Sequence, residues 1–181
     1  MEIIAGPFAI VAVVLAVGGL AKLAKPEPSG ATLRSLGIPA SAVLVRVLAL
    51  CEIAIAIAAL AFGGTLGALA VSAAFGAFTL MMYLLVRRGS TASCGCFGQA
   101  EAPPGPLHVG LNAICASVAA AAAALDVIDM KTLLGDQPAN GVPMVLLVGT
   151  GSAATIAMFT VFGRLSAPID TGTVRTFSIN T

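Results

Sequence analysis

The chain of 181 residues is 59% apolar and 9% charged, with a mean hydropathy of +1.04. Soluble domains carry about 25% charged residues, so this composition leaves too little polar surface for a water-soluble protein. The net charge of +1 gives no footprint for nucleic acid or for a strongly acidic partner.

Five apolar segments, each of roughly 20 residues, are long enough to cross about 30 Å of hydrocarbon. They run Ile3–Ala24, Ala40–Phe62, Thr65–Val86, Leu107–Leu125 and Val142–Phe162. The first lacks a basic leader, carries Glu2 at its start and is too long for a signal-peptide core, so a retained span is expected. Backbone groups in lipid must be satisfied within the segment, which favours helices, and the alternating pattern of a barrel is absent. The expectation is an all-α integral membrane protein of one domain: a compact bundle with a four-helix core plus a C-terminal helix.

Gly63-Gly64 is nearly all that separates the second and third spans, as in a tight antiparallel hairpin. In the first connection, Pro26 and Pro28 stop the first helix. Thr32 to Leu36 has room for one short interfacial turn before Gly37-Ile38-Pro39 redirects the chain. Lys22, Lys25, Arg34 and Arg46 flank or occupy this connection, Arg87 and Arg88 begin the third, and Arg164 and Arg175 lie in the tail. The fourth connection holds Lys131 beside Asp126, Asp129 and Asp136. The positive-inside rule therefore places the N-terminus outside, and the C-terminus and third connection in the cytoplasm.

That third connection contains Cys94-Gly95-Cys96. Glycine lets the chain fold so that the two sulfurs meet, and a disulfide closing so short a loop is strained and exchange-competent. Arg87 and Arg88 nearby favour the reactive thiolate. The same thiolates suit a soft metal such as Cu(I) or Zn(II), although His108 is the sole further ligand close in sequence. Redox dithiol, metal clip and plain turn all stand as readings of the motif.

His108, Asn112 and Cys115 follow at i, i+4 and i+7, forming a polar stripe on one helical face. His108 suits a proton carrier for thiol exchange; its other reading is an interfacial histidine, with Asn112 bonding a neighbouring helix. Glu52 lies near the middle of the second span, where an unpaired carboxylate costs several kcal/mol. Lys22 or Lys25 is its expected partner, and Arg46 sits on a different face. Proton relay and register-fixing ion pair are both open for it. Cys51 and Cys115 lie at similar depth, roughly 12 to 17 Å along their helices. They would form a second dithiol if those helices touch, but in an up-down bundle the two are diagonal.

With "SCGCFG" after the third span, a glutamate inside the second and "GGLAKL" closing the first, the sequence resembles the MauE/DoxX-like membrane proteins, over roughly Gly18 to Asn112. The resemblance implies a multi-pass protein of the bacterial plasma membrane that works beside a thioredoxin-like protein or another membrane redox subunit. The MauE branch is associated with maturation of a periplasmic disulfide-containing enzyme, and DoxX relatives with thiol and sulfur redox, some involving quinone. Cys94 and Cys96 then match the dithiol, and Lys22 and Glu52 match polar family positions. A cytoplasmic Cys94-Cys96 is at odds with a partner outside the cytoplasm. Either electrons cross through Cys51 and Cys115, or the charge rule fails here. A soft-metal or small-thiol transporter and a non-catalytic subunit of a membrane complex are the alternative functions.

Overall fold

The computed structural model describes residues 2–90, 105–125 and 138–162, and among these it is helical apart from short turns. In chain order the helices are α1 (Glu2–Ala24), α2 (Glu27–Ser35), α3 (Ala42–Phe62), α4 (Gly64–Arg87), α5 (Pro106–Ala124) and α6 (Pro138–Ala157). The last continues into a π-helical turn, Met158–Phe162. All but α2 are long and apolar enough to span a membrane, which fits the expected all-α membrane bundle.

α1, α3, α4 and α5 form a four-membered ring in which each packs on the next, and α6 lies against α1 from outside. α3 and α5 stand on the diagonal, without a substantial interface. The core is built from apolar residues facing inward at helical spacing, among them Val11, Val14 and Leu15 of α1, Ala56 and Ala59 of α3, and Val71 and Phe75 of α4. Large apolar side chains such as Val43, Val47, Leu66 and Leu80 point outward instead, as lipid-facing positions do.

Glycine sets two of the helix contacts. A Cβ on Gly19 would come within 2.9 Å of the Ala49 carbonyl oxygen and 2.8 Å of Ile53 Cγ1, so its absence lets α1 press against the backbone of α3. At the α3–α4 hairpin, Gly63 and Gly64 have φ of 60° and 75°. That left-handed backbone favours glycine, and the expected tight connection is present. Ser72 Oγ and Thr65 Oγ1 of α4 donate to the carbonyls of Ala116 and Ala123 on α5, at 3.0 and 3.3 Å.

The first connection differs from expectation. In place of a single turn over Thr32–Leu36, a nine-residue helix begins at Glu27. Pro26 and Pro28 end α1 and then open α2, because proline in a first helical turn gives up an N–H that had no partner anyway. Ser29, Gly30 and Thr32 are buried. Gly30 faces Val45 of α3, and Leu36 packs on Met82 and Leu85 of α4 near Val109 of α5. α2 thus closes the end of the bundle at which α4 finishes and α5 starts. Arg34 Nη1 donates to the Ala40 carbonyl at 2.8 Å and ties α2 to the start of α3. There Ser41 caps α3 by accepting the Leu44 N–H at 3.2 Å.

Candidate functional site

Polar side chains buried in the bundle gather toward this α2-covered end. Lys22, one turn from the end of α1, reaches Glu52 in the middle of α3, with Nζ 2.6 Å from Oε2. Both side chains are about nine-tenths buried. The ammonium also lies over the ring of Phe78 on α4, 4.4 Å from its centroid. Carboxylate and aromatic face together compensate a charge that apolar surroundings would otherwise exclude. Of the two lysines expected as partners, Lys22 makes the pair; Lys25 is exposed beyond the helix end, and Arg46 is exposed on the outer face of α3.

The close approach at Gly19 is what makes this reach possible. Gly19 sits against Ala49 and Ile53, the turn of α3 that carries Glu52, and Lys22 follows one turn later on the same face of α1. Gly18 lines a narrow pocket of about 20 Å³, together with Lys22, Phe75, Phe78, Asn112 and Phe159. The GGLAKL segment therefore supplies a pocket wall, a helix contact and an intramembrane cation within five residues, Gly18 to Lys22.

The stripe on α5 faces inward as its spacing predicts: His108, Asn112 and Cys115 are all buried. His108 does not reach for the surface. Its Nδ1 accepts the Gly105 N–H at 3.4 Å, in place of the side-chain cap that Gly105 lacks. The ring also hydrogen-bonds with the Phe159 backbone and packs against the Phe159 ring, with centroids 6.4 Å apart. Asn112 Nδ2 donates to the His108 carbonyl at 2.7 Å, within its own helix and not across to a neighbour. His108 thus joins the first turn of α5 to the π-helical turn after α6. A π-helical turn is uncommon and recurs at functional positions.

Cys115 belongs to the apolar core, beside Ala119 and the inward face of α1. Cys51 is exposed on α3, and both are free thiols. The second dithiol considered from their similar depth is not formed: their helices are diagonal, and one sulfur faces lipid while the other faces the core. Cys94 and Cys96 lie outside the described residues; the connection that carries them leaves α4 after Arg87 and enters α5 at Pro106, at the end where Lys22, His108 and Phe159 are buried. No group of three or more His, Cys, Asp or Glu side chains suited to a metal occurs among the described residues.

Phe78 and Phe159 are parts of the site that the sequence does not single out, and Gly18 and Gly19 enter it only within the GGLAKL run. Glycine and phenylalanine inside apolar runs carry no polar signal, and only the helix arrangement shows which of them face the lysine. The GGLAKL run was the one available clue.

Comparison with curated proteins gave no match, and comparison with solved structures gave none either. A family model described as methylamine utilisation protein MauE matches residues 2–125, which cover α1 to α5 and leave α6 outside. The match includes the ion pair, the stripe on α5 and the Cys94-Gly95-Cys96 connection, and with it the chain belongs to the MauE family.

Proposed function

We propose that this MauE-family protein is a membrane thiol–disulfide redox protein in which Cys94 and Cys96 form the exchanging pair, supporting maturation or redox maintenance of a partner protein. The observation that carries the reading is the convergence of the buried polar residues on one end of the bundle. Lys22–Glu52, Asn112 and His108 line the interior there, and the dithiol connection joins α4 to α5 at the same end.

In the reducing direction, one thiolate of the pair attacks a disulfide sulfur of the partner and releases a partner thiolate, which takes up a proton. The second cysteine, as thiolate, then attacks the mixed disulfide. Its attack closes Cys94–Cys96 and frees the other partner thiol, so two electrons and two protons pass to the partner. The reverse sequence oxidises a partner dithiol. Arg87 and Arg88 raise the thiolate fraction on the connection. His108, near its return into the membrane, serves as proton acceptor for the attacking thiol by giving up the Gly105 N–H at Nδ1. The partner in this reading is a thioredoxin-like protein or another membrane redox subunit, and the basic residues flanking the connections favour the cytoplasmic face for the pair by the positive-inside rule.

Serine substitution tests this reading. Cys94→Ser and Cys96→Ser variants are expected to accumulate a mixed disulfide through the remaining cysteine, and the double variant to form none. Undiminished mixed-disulfide formation in the double variant contradicts the assignment.

A further inference from the structure

All six described lysines and arginines lie toward one end of the bundle, and five of them are exposed: Lys25, Arg34, Arg46, Arg87 and Arg88. Lys25 follows α1, Arg34 stands on α2, Arg46 on the second turn of α3, and Arg87 and Arg88 close α4. Leu36, directly after α2, packs on the Met82–Leu85 cluster of α4 that Val109 of α5 also meets, so these cations share one end of the bundle. Among side chains described at this end, Glu27 is the one exposed acid, since Glu52 is buried against Lys22. The opposite end, at the Gly63-Gly64 turn and at Leu125, carries no described cation.

A second observation points to headgroup depth for this rim of cations. Tyr83, the single tyrosine in a chain without tryptophan, is exposed one turn before Arg87. The Arg87 guanidinium lies 5.7 Å from its ring centroid, and Nη1 donates to its hydroxyl at 3.5 Å. An exposed tyrosine beside arginine sits at headgroup depth, where the ring is in the interface and the charge reaches phosphate. Arg34 is held on the Ala40 carbonyl by one nitrogen, with its remaining N–H groups available outward.

We propose that this rim is a binding surface for anionic phospholipid headgroups, with Arg34, Arg46, Arg87 and Arg88 pairing with headgroup phosphates around the α2-covered end. Guanidinium forks match phosphate oxygens in pairs, and juxtamembrane cations draw anionic lipid to their leaflet. Arg87 and Arg88 are shared with the dithiol connection while Arg34 and Arg46 are not, and lipid retention is read without thiol exchange.

The test places the full chain in nanodiscs of phosphatidylcholine with a minority of phosphatidylglycerol, and counts the lipids it retains by native mass spectrometry. The expected result is enrichment of phosphatidylglycerol over its bulk fraction, reduced by added salt. The Arg46→Gln/Arg87→Gln/Arg88→Gln variant loses most of that enrichment, with Arg34 and Lys25 keeping the remainder. Should the triple variant fail to assemble, Arg46→Gln alone must still lower the enrichment. Retention at the bulk ratio by the unmodified protein overturns the proposal, as does enrichment unchanged in these variants. Capture of an acidic protein through the same arginines, without lipid enrichment, also overturns it.

Discussion

Lys22 Nζ and Glu52 Oε2 stand 2.6 Å apart inside the bundle and join the end of α1 to the middle of α3. Removing one partner leaves a charge without compensation in apolar surroundings. Glu52→Leu and Lys22→Met are each expected to destabilise by about 3–5 kcal/mol. Joint replacement, Lys22→Met with Glu52→Leu, should recover most of that loss, because the uncompensated charge disappears. Unfolding measured in detergent or bicelles for both singles and the double, as a double-mutant cycle, checks this; additive losses contradict it.

The helix contact beneath the pair is equally open to test. Gly19→Ala brings a Cβ within 2.9 Å of a backbone oxygen, which cannot rotate away, and a loss of about 1–3 kcal/mol is expected. Gly76 on α4 has nothing within 4 Å of a Cβ, so Gly76→Ala serves as the control and should be neutral or slightly stabilising. Comparable losses at the two positions would speak against a close α1–α3 approach.

The two described cysteines should behave as unrelated thiols. Oxidation of membranes with copper phenanthroline is expected to give no Cys51–Cys115 disulfide, because Cys51 faces outward and Cys115 lies in the core. Peptide mapping under non-reducing conditions reads this directly, and a linked peptide in quantity contradicts the arrangement.

Ser152 of α6 has a buried hydroxyl without a hydrogen-bond partner among the described residues. Ser152→Ala removes an unsatisfied polar atom at almost constant volume, and stabilisation of about 1 kcal/mol is expected. A clear loss of stability would mean that the hydroxyl is bonded.

Much of the bundle is legible in the sequence because lipid imposes a simple rule: about 20 apolar residues per crossing. The Gly63-Gly64 hairpin, the inward stripe of His108, Asn112 and Cys115, and the lysine–glutamate pairing all follow from spacing and from the cost of buried charge. α2 is harder to foresee, since prolines that end one helix also suit the start of the next. Phe78 and Phe159 become partners of Lys22 and His108 only once four helices and a π-helical turn meet, and local periodicity does not encode that meeting. Cys51 illustrates the same limit: depth along a helix is readable from the start of the span, whereas the direction a side chain faces depends on which neighbour the helix finds.

Orientation is tested by labelling Cys94 and Cys96 with a membrane-impermeant maleimide in sealed right-side-out and inside-out vesicles. The basic connections predict modification from the cytoplasmic face. Modification from the outer face would put Cys94 and Cys96 on the opposite side of the membrane and contradict the charge-based orientation.

The most direct test of thiol exchange is a count of thiols on both proteins. The reduced membrane protein is mixed with an oxidised thioredoxin-like protein, quenched in acid and alkylated, and each cysteine is scored by mass spectrometry. The expected result is loss of free thiol at Cys94 and Cys96 together, with gain of two thiols on the partner, while Cys51 and Cys115 stay unchanged. Cys94 and Cys96 staying fully alkylatable as the partner becomes reduced would contradict their role as the exchanging pair.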